Sequence, residues 1–262
     1  MELAASGSSF GGVLYPIIFV RLEPKIDFGW ATRVVAFIVL ATMTVSIAVM
    51  RTRILSASRR AIFQADAFTE PPFTFFTLGL FFGFMGMYIP FYYVSTYAVK
   101  RADLNPSLAF YFLPIINAGS VPGRILPNFV ADKIGPYNVL IPFAMCSAVL
   151  ALAWMSINNM PGIIVFVVLY GFFSGAFVSL PGPAVASITK DMSKLGSRMG
   201  TSFLFSGLGI LIGNPVAGAL IDLEKASFWK AQTWCEVLVF VAMFSMLGSR
   251  IAQTGFRLWA KS

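Results

Sequence analysis

Asn117, Ser120, Arg124 and Asn128 are spaced by three, four and four residues inside an otherwise apolar stretch, Ser107 to Pro136. On a helix turning 100° per residue they fall within about 80° of one another, which makes one narrow polar stripe. Arg124 is the only charged residue that lies deep inside a membrane-length apolar run. A charge at that depth costs about 2.5–3.5 kcal/mol on insertion scales, so it faces a protein interior or a watery cavity unless its side chain can escape. Two readings fit. In one, the helix lines a cavity and Arg124 binds an anionic group. In the other, Arg124 snorkels towards the helix end at Ala131, roughly 10 Å away, or sits in a structural ion pair. Pro114, Pro122 and Pro127 interrupt the same helix, and the carbonyls they free have to be received by protein or by a wet cavity.

Other residues add to this candidate site. Tyr88 and Tyr92 are one helical turn apart and either belong to an interfacial aromatic belt or touch the cavity. Asn214-Pro215 interrupts a later apolar run. That pair marks either a helix break, of the kind that binds substrate in transporters, or a plain kink. Asp132 and Lys133 lie in the charged turn Ala131 to Pro136, which reads as an ordinary helix-to-helix turn or as a gate latch that breaks and remakes.

The elements that must hold these residues follow from composition. The chain of 262 residues is 58% hydrophobic and 11% charged, with a mean hydropathy of +0.80. Soluble domains are about a quarter charged. The chain therefore reads as an all-α polytopic membrane bundle, with the lipid bilayer as its solvent. About eight spans are expected, near residues 3–20, 31–50, 73–97, 107–130, 139–157, 162–182, 199–221 and 232–249. The connections are short except for residues 51–72, which are basic, then mildly acidic, and end in Pro71-Pro72. That loop is the one plausible boundary between bundles. Residues 73–249 form a second bundle and 250–262 a tail. The glycine pairs Gly79/Gly83, Gly171/Gly175 and Gly209/Gly213 are each four apart, a spacing that lets helix backbones pack closely in lipid.

Basic residues set the orientation. With 51–72 in the cytoplasm, eleven bases lie on that side: Arg51, Arg53, Arg59, Arg60, Lys133, Lys190, Lys194, Arg198, Arg250, Arg257 and Lys261. Seven lie opposite: Arg21, Lys25, Arg33, Lys100, Arg101, Lys225 and Lys230. The expected protein is a multi-pass protein of the plasma membrane with its C-terminal tail in the cytoplasm. The net charge of +8 is thus read as topology, with no nucleic-acid partner. The chain has no histidine, so His-based metal sites and proton relays are excluded. No GxxxxGK[ST] loop or catalytic cluster is present, which argues against an ATP-driven pump or an enzyme and leaves no cofactor to expect. No ring of charges suggests a channel. The first twenty residues are rich in serine and glycine and lack a basic region, unlike a signal peptide; they read as a helix from the middle of a larger bundle.

Several stretches carry a family likeness: SGSSFGGVLYPII (6–18), GLFFGFMGMYIPFYYVSTYA (79–98), NAGSVPGRILPNFVADKIGPYN (117–138), GFFSGAFVSLPGPAVASI (171–188) and SRMGTSFLFSGLGILIGNPVAGALID (197–222). Together they resemble the monocarboxylate transporter-like family of the major facilitator superfamily, in its fungal form. The resemblance implies helices five to twelve of a twelve-helix, two-bundle carrier working by alternating access. On it, residues 1–50 are the last two helices of an incomplete N-terminal bundle, 51–72 is the central cytoplasmic loop, and the first four helices are missing. A second copy or another chain would then have to supply them. The resemblance also implies a small organic anion or carboxylate-bearing metabolite as substrate, with Arg124 as its contact and Asn117, Ser120, Tyr88, Tyr92 and Asn214 around it. Animal-type members place an acidic residue four positions before this arginine, where Ser120 stands here. Efflux of a fungal secondary metabolite is the close alternative, and a non-transporting scaffold the rival from another class.

Overall fold

The computed structural model describes residues 2–51 and 63–255, with side chains from Ser6 onward, so Arg53, Arg59, Arg60, Arg257 and Lys261 lie outside the described residues. The described residues form ten α-helices: α1 (Glu2–Val49), α2 (Pro71–Met87), α3 (Ile89–Lys100), α4 (Pro106–Ala109), α5 (Phe112–Ile134), α6 (Pro136–Trp154), α7 (Met160–Ser179), α8 (Pro181–Ser187), α9 (Leu195–Leu220) and α10 (Trp229–Thr254). The single β-bridge among them joins Asp222 to Ser227. The chain is an all-α polytopic membrane bundle.

Six stretches are long and apolar enough to cross a bilayer among the described residues, namely Ser6–Val49, Pro71–Lys100, Pro136–Trp154, Met160–Ser187, Met192–Leu220 and Trp229–Thr254. The first holds two of the expected spans. The remaining expected span is α5, which is absent from this set because the polar stripe dilutes its hydropathy. A long helix that falls short of membrane-span hydropathy is thus the one that carries the candidate site.

Prolines set the local breaks. Tyr88 ends α2 and begins α3, with Pro90 just inside α3, so the expected span 73–97 is two helices end to end. Leu180 divides α7 from α8 in the same way, with Pro181 at the new first position. Proline is favoured there because its missing N–H and fixed φ suit a helix start. Gly135 (φ 96) makes the turn from α5 to α6. Residues 21–30, expected as a loop, are helical except at Asp27 (φ 68, ψ 157). Phe19 and Phe28 nevertheless touch edge to face at 5.5 Å. Nine residues of straight helix rise about 13 Å, so the axis turns sharply at Asp27.

The tightest packing is backbone on backbone. A methyl added at Gly123 of α5 would collide with the Phe172 carbonyl of α7, and one at Gly171 of α7 would collide with the Ile116 carbonyl of α5. Gly209 and Gly213 bring α9 onto the Phe81 and Met85 carbonyls of α2, and Gly79 and Gly83 meet Met246, Ala242 and Phe177. All three expected glycine pairs therefore lie at helix contacts, where small residues permit close approach. Aromatic side chains fill the remaining core. Trp154 stacks on Phe166 at 5.4 Å, the Tyr170 hydroxyl donates to the Met87 carbonyl at 3.0 Å, and Tyr137 and Ser249 pair at 2.8 Å. Both tyrosine hydroxyls thus find a partner inside an apolar body, whereas the buried Trp154 Nε1 makes no hydrogen bond.

Gly213→Leu is expected to destabilise the bundle by about 1–3 kcal/mol or more, because the collision is with a main-chain carbonyl that cannot move aside. Intrinsic fluorescence on heating the purified chain in detergent measures this; an unchanged midpoint would show that the α2–α9 contact is loose.

Candidate functional site

The polar stripe of α5 is buried. Ser120, Asn128 and Arg124 are 0%, 1% and 6% exposed, and Asn117 is half-buried. The partners come from α1 and α7. The Arg124 guanidinium donates to the Ser8 hydroxyl. Ser9 and Ser120 share a hydrogen bond of 2.7 Å. Asn128 donates from Nδ2 to the Arg124 carbonyl at 2.5 Å and to the Ser179 hydroxyl at 2.9 Å. Asn117 donates to the Leu113 carbonyl at 2.9 Å, and its side chain lies where a Cβ on Gly12 would be. The serine- and glycine-rich start of α1 therefore lies along the stripe and supplies hydroxyls where lipid would supply none. The Arg124 head is directed across the bundle to α1 and not towards the helix end at Ala131.

Tyr88 joins this group from the α2–α3 break. It packs against Phe84 at 6.0 Å and Phe91 at 5.5 Å, and its hydroxyl lies within electrostatic reach of Arg124 and of Tyr92. Tyr92 itself is 63% exposed. Asn214 sits elsewhere, on α9, where its carbonyl accepts from the Tyr93 hydroxyl at 2.9 Å. The Asn214 Oδ1 atom is buried without a hydrogen-bond partner. Helix α9 runs through Pro215 from Leu195 to Leu220, so the break that Asn214-Pro215 suggested is absent; the breaks are at Tyr88 and Leu180. The stripe and Tyr88 thus come together, with Tyr92 at their exposed side and Asn214 on a different helix pair.

Asp132 and Lys133 are exposed in the last turn of α5 and not in the turn that follows, which is Gly135 alone. Neither takes part in the two salt bridges found among the described residues. The strong ion pair at this end of the bundle joins Glu70, just before α2, to Arg198 near the start of α9. It is two-pronged, at 3.1 and 2.7 Å. Arg198 also lies over the Phe73 ring at 4.8 Å, and the Gln64 main chain donates to Thr201 of α9 at 3.1 Å. Ser8, Ser9 and Glu70 were not singled out by sequence. The serine-glycine composition of residues 6–12 was the available signal for the first two; a contact across 128 positions leaves none for the third.

The likeness to known proteins agrees with this architecture. No family model matches the chain. The MFS-type transporter dbaD of Emericella nidulans is 41% identical over 229 residues, covering 87% of this chain and 52% of that protein. The agnestins efflux protein AgnL12 of Paecilomyces divaricatus is 37% identical over 84% of this chain and 51% of that one. The aspyridones efflux protein apdF of Emericella nidulans is 34% identical over 96% and 50%. The chain spans about half the length of these curated relatives. Among solved structures, a major facilitator superfamily transporter, FucP, in the outward conformation superposes with a TM-score of 0.61 at 16% identity, covering 85% of this chain and 53% of that one. A second structure, of the E.coli fucose:proton symporter FucP, gives 0.60 at 15% identity, over 88% and 55%. That likeness carries the fold alone.

The Glu70–Arg198 pair makes a prediction in pH. Hydrogen bonding to Arg198 holds the Glu70 carboxyl below its ordinary value of 4.5, against the opposing effect of partial burial and with help from Lys190 and Lys194. A carboxyl lowered in the folded state adds stability above its unfolded pKa and loses it as pH falls through the folded one. Wild type is therefore expected to melt above Glu70→Gln at pH 7, and the gap to close on acidification below about 4.5. Melting curves from pH 7 to 3 test this, and a gap that stays constant would show that the pair contributes nothing.

Proposed function

We propose that the chain, which resembles MFS-type transporters in sequence and in fold, works in a secondary transporter of small organic anions or carboxylate-bearing metabolites, akin to monocarboxylate carriers. The observation that carries this is Arg124, a cation 6% exposed on a long helix that is not among the spans apolar enough to cross a membrane, among hydroxyls and amides of α1, α5 and α7. A guanidinium in such surroundings is a ready partner for a carboxylate, since charge-assisted hydrogen bonds gain strength where water is scarce. Ser120, Asn117 and Tyr88 flank it. Tyr92 at the exposed side is the outer contact, and Asn214, on a different helix pair, stands apart from the group. Asp132 and Lys133, at the end of the arginine's own helix, gate the site as the bundles rock.

A second reading concerns direction. Two relatives bear the names of efflux proteins for agnestins and for aspyridones, which supports export of a secondary metabolite. The same arginine serves either direction, because alternating access presents one site to both sides in turn.

Reconstitution in liposomes tests both readings. The 262-residue chain is expected to accumulate at least one labelled acid from a panel of organic acids. Arg124→Ala is expected to lower that uptake about tenfold or more, the loss of one charge-assisted hydrogen bond. Uptake no greater than in empty liposomes would sink the transporter reading for this chain. Uptake untouched by the substitution would remove Arg124 from the site. Faster counterflow out of preloaded vesicles of one orientation would favour export.

A further inference from the structure

Two serines of α1 reach the polar stripe, and their surroundings are opposite. Ser9 and its partner Ser120 are both 0% exposed, and their hydroxyls share the 2.7 Å bond. Ser120 also donates to the Asn117 carbonyl at 2.8 Å. Ser8, one position earlier, is exposed, yet its hydroxyl accepts from the guanidinium of Arg124, which is 6% exposed. The bond between Ser8 and Arg124 therefore lies where the buried charge meets the outside of the bundle. A Cβ on the neighbouring Gly7 would touch nothing within 4 Å, so the surface beside Ser8 is open.

The two bonds differ in what it takes to break them. Parting Ser9 from Ser120 would strand a hydroxyl between helices, with no water to replace the lost partner. Ser8 needs only a turn about χ1 to trade the guanidinium for water. The acceptor also matters. A carboxylate offers two charged oxygens that match the guanidinium fork, whereas a hydroxyl offers one neutral oxygen. An anion that reaches Arg124 thus displaces Ser8 and leaves the Ser9–Ser120 bond in place. A neutral molecule with a carbonyl or a hydroxyl gains nothing over the oxygen already there.

We infer that Ser8 is a resident competitor for Arg124: its hydroxyl occupies the guanidinium when no anion is bound and yields it to an incoming carboxylate. This rests on the reading of Arg124 as the anion contact. It adds that the affinity of that contact, and its preference for charged over neutral molecules, are set from α1. Because the competing bond re-forms as the anion leaves, Ser8 also keeps the site from holding its ligand too tightly.

The test uses the whole chain in detergent, with acetate and benzoate as probes and acetamide and benzamide as their neutral counterparts, at constant ionic strength. The thermal midpoint, titrated with each probe, gives the apparent affinity. Both carboxylates are expected to raise the midpoint of wild type while the amides leave it unchanged, and Arg124→Gln is expected to lose the response. Ser8→Ala, which removes the competitor at an exposed position, is expected to bind the carboxylates about tenfold more tightly. Ser8→Asp carries its own carboxylate to the guanidinium, so it is expected to melt above wild type and to respond to neither acid. Gly7→Ala is the control and behaves as wild type. Weaker or unchanged carboxylate affinity in Ser8→Ala would overturn the inference while leaving Arg124 as the anion contact; weaker affinity would make Ser8 a ligand of the anion instead. If neither carboxylate outdoes its amide in wild type or in Ser8→Ala, the reading of Arg124 falls and the competitor with it. The amides decide that point even where Arg124→Gln does not fold.

Discussion

A guanidinium cannot be left in hydrocarbon, and the arrangement of α1, α5 and α7 follows from solvating one. Arg124 has water's place taken by a hydroxyl from Ser8, while the carbonyl it leaves one turn on is covered by Asn128, itself anchored to Ser179. The charge is therefore tied to α1 and the main chain of its own turn, through Asn128, to α7. Each of the three is thereby committed to its neighbour. This is why α5 can remain in the bundle with a composition too polar to qualify as a span by itself.

Solvating the stripe requires close approach, and close approach requires that side chains be absent. On the α5–α7 side the absence is literal, since glycines meet carbonyls. On the α1 side the residues are serines and glycines. Helix breaks complete the geometry: the one at Tyr88 turns a tyrosine towards Arg124, and the Tyr170 hydroxyl covers the Met87 carbonyl beside it. At the far edge of the bundle a different rule operates. Glu70 is 44% exposed and Arg198 only 4%, so a two-pronged ion pair holds helix ends together with one of its partners withdrawn from water.

Much of this was legible in the sequence because membrane proteins obey few rules strictly. Run length located helices at the eight expected positions, all but α5 within the six stretches apolar enough to cross a membrane, and helical periodicity gathered Asn117, Ser120, Arg124 and Asn128 onto one face, which the structure buries. What local pattern could not give was connection. Residues 21–30 hold charges and Pro24 and so read as a loop, yet charged residues at a membrane surface can continue a helix, and only Asp27 departs from it. Asn214-Pro215 read as either a break or a plain kink, and α9 runs on through it; Pro90 and Pro181, at the start of the helix that follows, mark the breaks instead. Asp132 and Lys133 read as either an ordinary charged turn or a latch, because they are charged residues next to Gly135-Pro136. The pair that forms, Glu70 with Arg198, joins residues whose proximity only the folded bundle creates.

The two contacts of α5 differ in kind. Against α7 there is main chain upon main chain at Gly119, Gly123, Gly171 and Gly175, beside the single side-chain bond from Asn128 to Ser179. Sliding one helix along the other would drive carbonyls into α-carbons, so the two travel as a single strut. Against α1 the contact is a row of hydroxyls, and a serine can swivel to a new acceptor within the same helix turn for little energy. The seam between α1 and α5 is thus the compliant joint of the molecule and the seam between α5 and α7 its rigid one. Arg124 lies on the compliant side, so the surroundings of the charge can change while the helix that carries it stays in place.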